Sequence, residues 1–228
     1  MLIKNYNDLP KEMQTPIVKN YYDLLSKKTK TLAIKRLIDI VLCGIITIIA
    51  SPFLLIFALL IKLTSKGPVI FKQQRVGKNM KIFNIYKFRT MEKDASKKGP
   101  EITTNNDNRI TSFGKFLRKI NMDEMPQLFN VLKGDMSIIG TRPEVLSYVN
   151  EYSDEMFATL LLPPGMLSLA SVFYKDENSM LKDVSDVHKT YVEKILPDKM
   201  KYNLEYLKIV SIKEDFKLIG KSIACMFK

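Results

Sequence analysis

The chain carries a single histidine, His188, and two cysteines, Cys43 and Cys225, and these scarcities close off several kinds of chemistry. Histidine-based triads and multi-histidine metal sites are excluded, and His188 lies in a polar helical stretch that reads as surface. The cysteines sit in apolar sequence without a spacing partner, which predicts reduced packing residues in a cytosol-facing protein rather than a disulfide or zinc site. Neither a P-loop nor a G-x-G-x-x-G pattern occurs, and there is no internal repeat or low-complexity tract. The N-terminus stays polar to residue 31 and no small-residue cleavage site follows, so no cleaved signal peptide is expected. Acid–base or nucleophilic chemistry must therefore rest on carboxylates, lysines or hydroxyls.

What is present in excess is positive charge: 36 Lys and Arg against 24 Asp and Glu, a formal charge of +12. Such an excess suits nucleic acid, an anionic membrane surface or phosphorylated substrates without choosing among them. A length of 228 residues fits one sizeable domain with a small appendage. The longest uncharged run, Ile40 to Ile61, covers about 33 Å as a helix, enough for a hydrocarbon core of about 30 Å. Ser51-Pro52 lies at its midpoint, where proline removes a backbone donor and clashes with the preceding turn.

One reading is a single kinked span, which membrane helices tolerate. The flanks favour another. Lys27, Lys28, Lys30, Lys35 and Arg36 precede the run, and Lys62, Lys66, Lys72, Arg75 and Lys78 follow it, so the positive-inside rule finds no asymmetry. A segment drawn to the cytoplasm at both ends and broken at Ser51-Pro52 is a re-entrant helix–break–helix, each half about 16 Å long. The Ser51 hydroxyl would satisfy a carbonyl freed by Pro52, near Thr47 or Ile48. This divides the chain into an N-terminal amphipathic extension (1–30), a re-entrant membrane helix (31–63) and a cytoplasmic or interfacial domain (64–228).

Around that segment the spacing predicts a short amphipathic helix over 15–28, entered at Thr15-Pro16. A β-hairpin turning at Gly77 to Asn79 follows, and then a polar mobile loop over 92–108. Two basic amphipathic helices carry Phe113, Phe116, Leu117 and Ile120, and Ile212, Phe216, Ile219, Ile223 and Met226. They either lie in a membrane interface or cover a soluble core.

The densest chemistry is "NMDEMPQLFNVLKGDMSIIGTRPEV", residues 121–145. Asp123 and Glu124 precede Pro126 in what reads as the first turn of a helix ending at Gly134. A carboxylate there feels the positive end of the helix dipole, so its pKa should fall and it should remain anionic. It could cap the helix, hold Mg²⁺, or attack phosphorus as a nucleophile. Arg75, Lys87, Arg89, Arg118 and Arg142 lie in segments able to converge on the pair, and guanidinium forks match phosphate oxygens. Gln127 is the remaining polar candidate on the same helix.

From Lys35 to the C-terminus the chain carries, in order, "KRLID", the "SP" of the membrane segment, "GPVIFKQQRVG", "YKFRTM", "DNRITSFGKFLRK", "MDEMPQLFNVLKGDMSIIGTRP" and "PGM" with "LAS" after it. In these motifs it resembles the bacterial sugar transferases of the monotopic phosphoglycosyl transferase type. The resemblance implies an α+β monotopic membrane protein: a re-entrant hairpin, interfacial helices and a small β-hairpin around the active site. It implies transfer of a sugar 1-phosphate from a nucleotide diphosphate sugar, usually a UDP-sugar, to polyprenyl phosphate, with release of UMP. By that likeness Asp123 is the nucleophile of a phosphosugar–aspartyl intermediate and lies near Mg²⁺, and Glu124 accepts a proton or orients the site. Arg142 matches the arginine of a P-R-P element associated with the nucleotide, and Arg118 the arginine upstream of the dyad.

Thr141 replaces the first proline of P-R-P, Met166 departs from the family's P-G-I-T-G, and Lys175 stands where relatives often carry arginine. The implied setting is the cytoplasmic face of a bacterial inner membrane, with downstream glycosyltransferases as partners, a possible homodimer, and no nucleic acid. The competing class is a membrane-anchored basic binding or scaffold protein. The acidic dyad discriminates, because a polyanion binder gains nothing from carboxylates among its cations.

Overall fold

A computed structural model describes residues 3–93, 95, 107–174, 184 and 186–226. Most of the polar 92–108 loop, and Lys175, lie outside the described residues. Helix α1 (Pro16–Ser26) begins where Thr15 accepts a side-chain cap bond from the Val18 amide, the entry that Thr-Pro announces. It is no free extension. Val18, Tyr21 and Leu25 join Leu9 and Met13 in the main core, against a 3₁₀ turn (Met156–Leu161) and the C-terminal helices. Lys28 Nζ donates to the carbonyls of Lys208 and Val210.

Helix α2 (Thr29–Thr64) is long and apolar enough to cross a membrane, one such helix among the described residues, and its apolar window is almost wholly exposed. Exposure of 74% at Ile48 and 71% at Leu55 leaves an apolar surface of the kind that marks a membrane or protein partner. The helix runs through Pro52 without the interruption expected there. Ser51 Oγ donates to the Ile48 carbonyl at 2.8 Å, the acceptor that loses its i+4 donor to proline.

The N-terminal arm of α2 is tied to the protein by the "KRLID" residues. Lys35 Nζ meets Asp215 at 2.6 Å, and Arg36 donates to the carbonyls of Val131 and Leu132 at 2.6 and 3.0 Å. Asp39 accepts from Ser137 Oγ at 2.7 Å. Cys43 is buried in a cluster with Phe83, Ile85, Leu128, Val131 and Met136. On the other arm, Ile61 packs with Phe88 and Leu117, and the Phe57 ring stands against Phe88 and Phe113.

Strands β1 (Ile70–Val76) and β2 (Ile82–Phe88) form the expected antiparallel hairpin, with Val76 opposite Ile82 and Ile70 opposite Phe88. Helix α3 (Ser112–Lys119) is capped by Thr111. Helix α4 (Gln127–Lys133) stops at Gly134, whose φ of 94° is the left-handed cap that glycine adopts freely. Strand β3 (Ser137–Ile139) pairs in parallel with β4 (Gly165–Leu167), and short α5 (Leu146–Val149) and α6 (Leu169–Phe173) lie beside these strands in sequence.

Helix α7 (Val187–Thr190) passes through a π turn (Tyr191–Ile195) into α8 (Leu196–Ile209), and α9 (Ile212–Met226) follows. Asp215, Leu218 and Ser222 are the buried face of α9, while Phe216 and Ile223 point outward. Of the apolar stripe read from the sequence, Ile219 packs against the main core while Phe216 and Ile223 do not. Exposed His188 stacks on Tyr148.

Candidate active site

The dyad does not occupy the first turn of α4. Asn121, in the left-handed region at φ 55°, reverses the chain after α3, and Met122–Glu124 form a separate 3₁₀ turn. Pro126 caps α4 one residue beyond that turn's own cap. The two carboxylates thereby acquire different surroundings.

Glu124 Oε1 accepts from Lys87 Nζ at 2.8 Å and from Arg142 Nη2 at 2.5 Å, and its Oε2 lies 3.3 Å from Arg142 Nη1. Burial alone would raise this carboxyl. The charges of Arg142 and Lys87, and their hydrogen bonds, outweigh it and hold Glu124 well below the usual carboxylate range. Asp123 behaves oppositely. It is 9% exposed, and burial, reinforced by the negative charge of Glu124, raises its pKa against the opposing pull of Lys87 and Arg118. The fall expected for both carboxylates is thus found at Glu124 alone, because desolvation, not a helix dipole, dominates at Asp123.

Strand β2 supplies Lys87, whose own pKa is lowered by burial and by Arg142, with Glu124 pulling the other way. Arg118, on α3, is fixed through Nε by Thr90 Oγ1 at 2.8 Å and feels the charge of Asp123. Arg142 comes from the loop after β3. Lys87, Arg118 and Arg142 therefore converge on the dyad.

Two other cations are held by other partners. Arg89 donates to the Pro68 carbonyl and to Ser65 O and Oγ, the latter both at 2.8 Å, closing the C-terminal end of α2. Arg75 binds the Pro143 carbonyl at 3.1 Å and Gln73 at 2.9 Å, supporting the Arg142 loop from β1. Gln127 is fully buried one turn beyond the dyad, and neither amide atom has a hydrogen-bond partner among the described residues.

The loop of Arg142 rests on two close backbone approaches. A Cβ at Gly165 would fall on the Gly140 nitrogen and 2.5 Å from the Leu167 carbonyl. The same approach lets Gly165 N–H donate to the Thr141 carbonyl at 2.8 Å. Sequence reasoning missed Thr90, which orients Arg118. The only available signal was its place in "YKFRTM", directly after the arginine and three residues beyond the lysine of that motif.

Among the described residues no group of three or more His, Cys, Asp or Glu could hold a metal. With Glu124 engaged by two cations, the site offers one uncommitted carboxylate, Asp123. That donor set suits a divalent ion completed by substrate oxygens and water, the habit of Mg²⁺ at phosphoryl sites. It does not suit an ion caged by protein alone.

A model of the bacterial sugar transferase family matches residues 30–228. A Bacillus subtilis protein bearing the name of an undecaprenyl-phosphate N-acetylgalactosaminyl 1-phosphate transferase is 45% identical over 59% of the chain and 75% of its own length. A UDP-N-acetylgalactosamine-undecaprenyl-phosphate N-acetylgalactosaminephosphotransferase of Aeromonas hydrophila is 44% identical over 62% of the chain. The UDP-glucose:undecaprenyl-phosphate glucose-1-phosphate transferase of Escherichia coli is 35% identical over 90% of the chain. The chain spans 34% and 42% of the length of these last two relatives.

Proposed function

Since this chain belongs to the bacterial sugar transferase family, we propose that it transfers a sugar 1-phosphate from a UDP-sugar to undecaprenyl phosphate, releasing UMP. The observation that carries the reading is the unequal dyad: a buried, desolvated Asp123 beside a Glu124 locked to Lys87 and Arg142. A carboxylate stripped of water and raised in pKa is a better nucleophile than a solvated one. Asp123 attacks the β-phosphorus, the bond to the bridging oxygen breaks, and UMP departs as the phosphosugar–aspartyl ester forms. An oxygen of undecaprenyl phosphate then attacks the same phosphorus and releases the Asp123 carboxylate, leaving a lipid diphosphate sugar.

Neither step demands a proton. The carboxylate attacks as its anion, undecaprenyl phosphate as a monoester has its second pKa near about 6, and UMP leaves as a phosphate. The chemistry calls instead for positive charge around the transferring phosphoryl group, and Lys87, Arg118 and Arg142 are that charge. Glu124, held anionic by two cations, is ill suited as a base, and its role is to hold Lys87 and Arg142 in register. Mg²⁺, held by Asp123 and the donor diphosphate, would supply further neutralisation.

The anchoring of α2 supports a re-entrant hairpin. Cys43 and Ile61 would stand about 27 Å apart on a straight helix. Their clusters meet β2 at Phe83 and Ile85 and at Phe88, positions within about 17 Å along a strand. A bend near Pro52 reconciles the two and buries the exposed middle of α2 in one leaflet, which we assign to the cytoplasmic face of the inner membrane.

Detergent-purified protein incubated with a panel of UDP-sugars, Mg²⁺ and undecaprenyl phosphate should release UMP from at least one donor, and Asp123→Asn should abolish it. No release from any donor, or release unaffected by Asp123→Asn, overturns the proposal. Labelling of cysteines placed at 30 and 66 by an impermeant reagent outside intact cells should reach neither position, and labelling of one alone would establish a span.

A further inference from the structure

A second buried carboxylate lies behind the site and is used by none of the steps above. We infer that Glu144, with Lys199 and Tyr191, positions Arg142, so that the C-terminal helices form part of the donor site. This rests on the proposed function. Arg142 is a long side chain, 38% exposed, and can meet a phosphate reproducibly only if its backbone is fixed.

Its neighbours are held on every side. Gly165 N–H donates to the Thr141 carbonyl at 2.8 Å and Val76 N–H to the Glu144 carbonyl at 2.9 Å, and Arg75 Nη1 donates to the Pro143 carbonyl at 3.1 Å. The Glu144 side chain, buried at 7% exposure, then reaches to the opposite side. Its Oε1 accepts from Tyr191 OH at 2.8 Å and lies 3.7 Å from Lys199 Nζ, and its Oε2 lies 3.9 Å from Arg75 Nη1. Lys199 Nζ also donates to Tyr191 OH at 3.0 Å.

The helix is shaped for this contact. Residues eight apart on an unbroken α-helix differ by about 80° around the axis. Tyr191 opens the π turn Tyr191–Ile195, whose wider winding takes up that difference and brings Tyr191 and Lys199 to the same face. Such turns occur frequently at functional sites. A buried charge cluster is seldom the most stabilising filling for a core, and its attested use is to enforce one register. Here the register is that of the Thr141–Glu144 segment, and through it of Arg142 against Glu124.

The test uses the full chain in detergent, with Lys199→Met, Tyr191→Phe and Arg142→Ala. Lys199→Met should lower kcat/KM for the donor, and weaken inhibition by UMP, between about 10- and 100-fold, the cost of small misplacements in a site. Amide exchange across residues 140–146 should quicken, and Lys199→Arg should restore both. Combined with Arg142→Ala, Lys199→Met should add little, since both act through one side chain. An unchanged kcat/KM, full additivity with Arg142→Ala, or unaltered exchange overturns the inference while leaving the transferase reading intact. If Lys199→Met does not fold, Tyr191→Phe, which removes one hydroxyl, carries the same cycle. A wild-type protein that releases no UMP from any donor refutes the parent reading, and this inference with it.

Discussion

Replacing Lys35 by methionine tests how α2 is fastened to the rest of the protein. Lys35 and Asp215 are 4% and 10% exposed at their side chains and meet at 2.6 Å, and Tyr206 OH donates to the other Asp215 oxygen, also at 2.6 Å. Removing one member of a buried ion pair costs about 3–5 kcal/mol, because the remaining charge is left without its partner. The surviving Tyr206 bond places this case at the lower end, about 3 kcal/mol, which in a chain of this size lowers Tm by about 6–12 °C. The assay is thermal unfolding in detergent followed by far-UV circular dichroism, since the chain has no tryptophan to report it. Lys35→Met combined with Asp215→Asn should recover most of the loss. Asparagine still accepts from Tyr206 and no longer carries a charge. A single variant within about a degree of wild type, or a double variant no better than the single, would refute the electrostatic reasoning.

Two further outcomes are expected. Asp123→Asn should raise Tm while removing activity. Burial raises the Asp123 pKa above its ordinary 3.8, so its contribution to stability is intact below that value and lost as pH rises through the folded-state pKa. The gain should therefore be present at pH 7 and vanish in acid, and a gain independent of pH would contradict this assignment. Gly165→Ala should cost at least about 3 kcal/mol, because the added methyl falls on the Gly140 nitrogen. It should also weaken donor binding in whatever folded fraction remains, as read by KM.

Much of this protein was legible from local pattern. The Thr15-Pro16 entry, the hairpin turning after Gly77 and the α4 stop at Gly134 are set by the conformations that proline, threonine and glycine allow, and all appear where expected. Ser51 bonding Ile48 is equally local. The Asp-Glu dyad could be named because it stands in the motif order of a known family, and of the five cations named with it three lie around it in the fold. Other features were hidden because they depend on contacts between distant segments. The inward face of α9 carries Asp215, whose partner Lys35 is 180 residues away. No periodicity can reveal that an aspartate is buried there while Phe216 points outward.

The same division holds at the site. Composition and motif order limited what the site could be built from: carboxylates, lysines and arginines, a single histidine, and an apolar segment long enough to cross a membrane. Which carboxylate does what was decided only by the fold, since Asp123 and Glu124 are adjacent and nearly identical in intrinsic acidity. Burial separates them. The 3₁₀ turn sets Asp123 inward, where desolvation raises its pKa, and aims Glu124 at Lys87 and Arg142, whose charges lower it. Arg89 and Arg75 were likewise equal candidates in the sequence, and tertiary contacts committed them to Ser65 and Pro143 instead. A pKa and a hydrogen-bond partner are properties of surroundings, and surroundings exist only once the chain has folded.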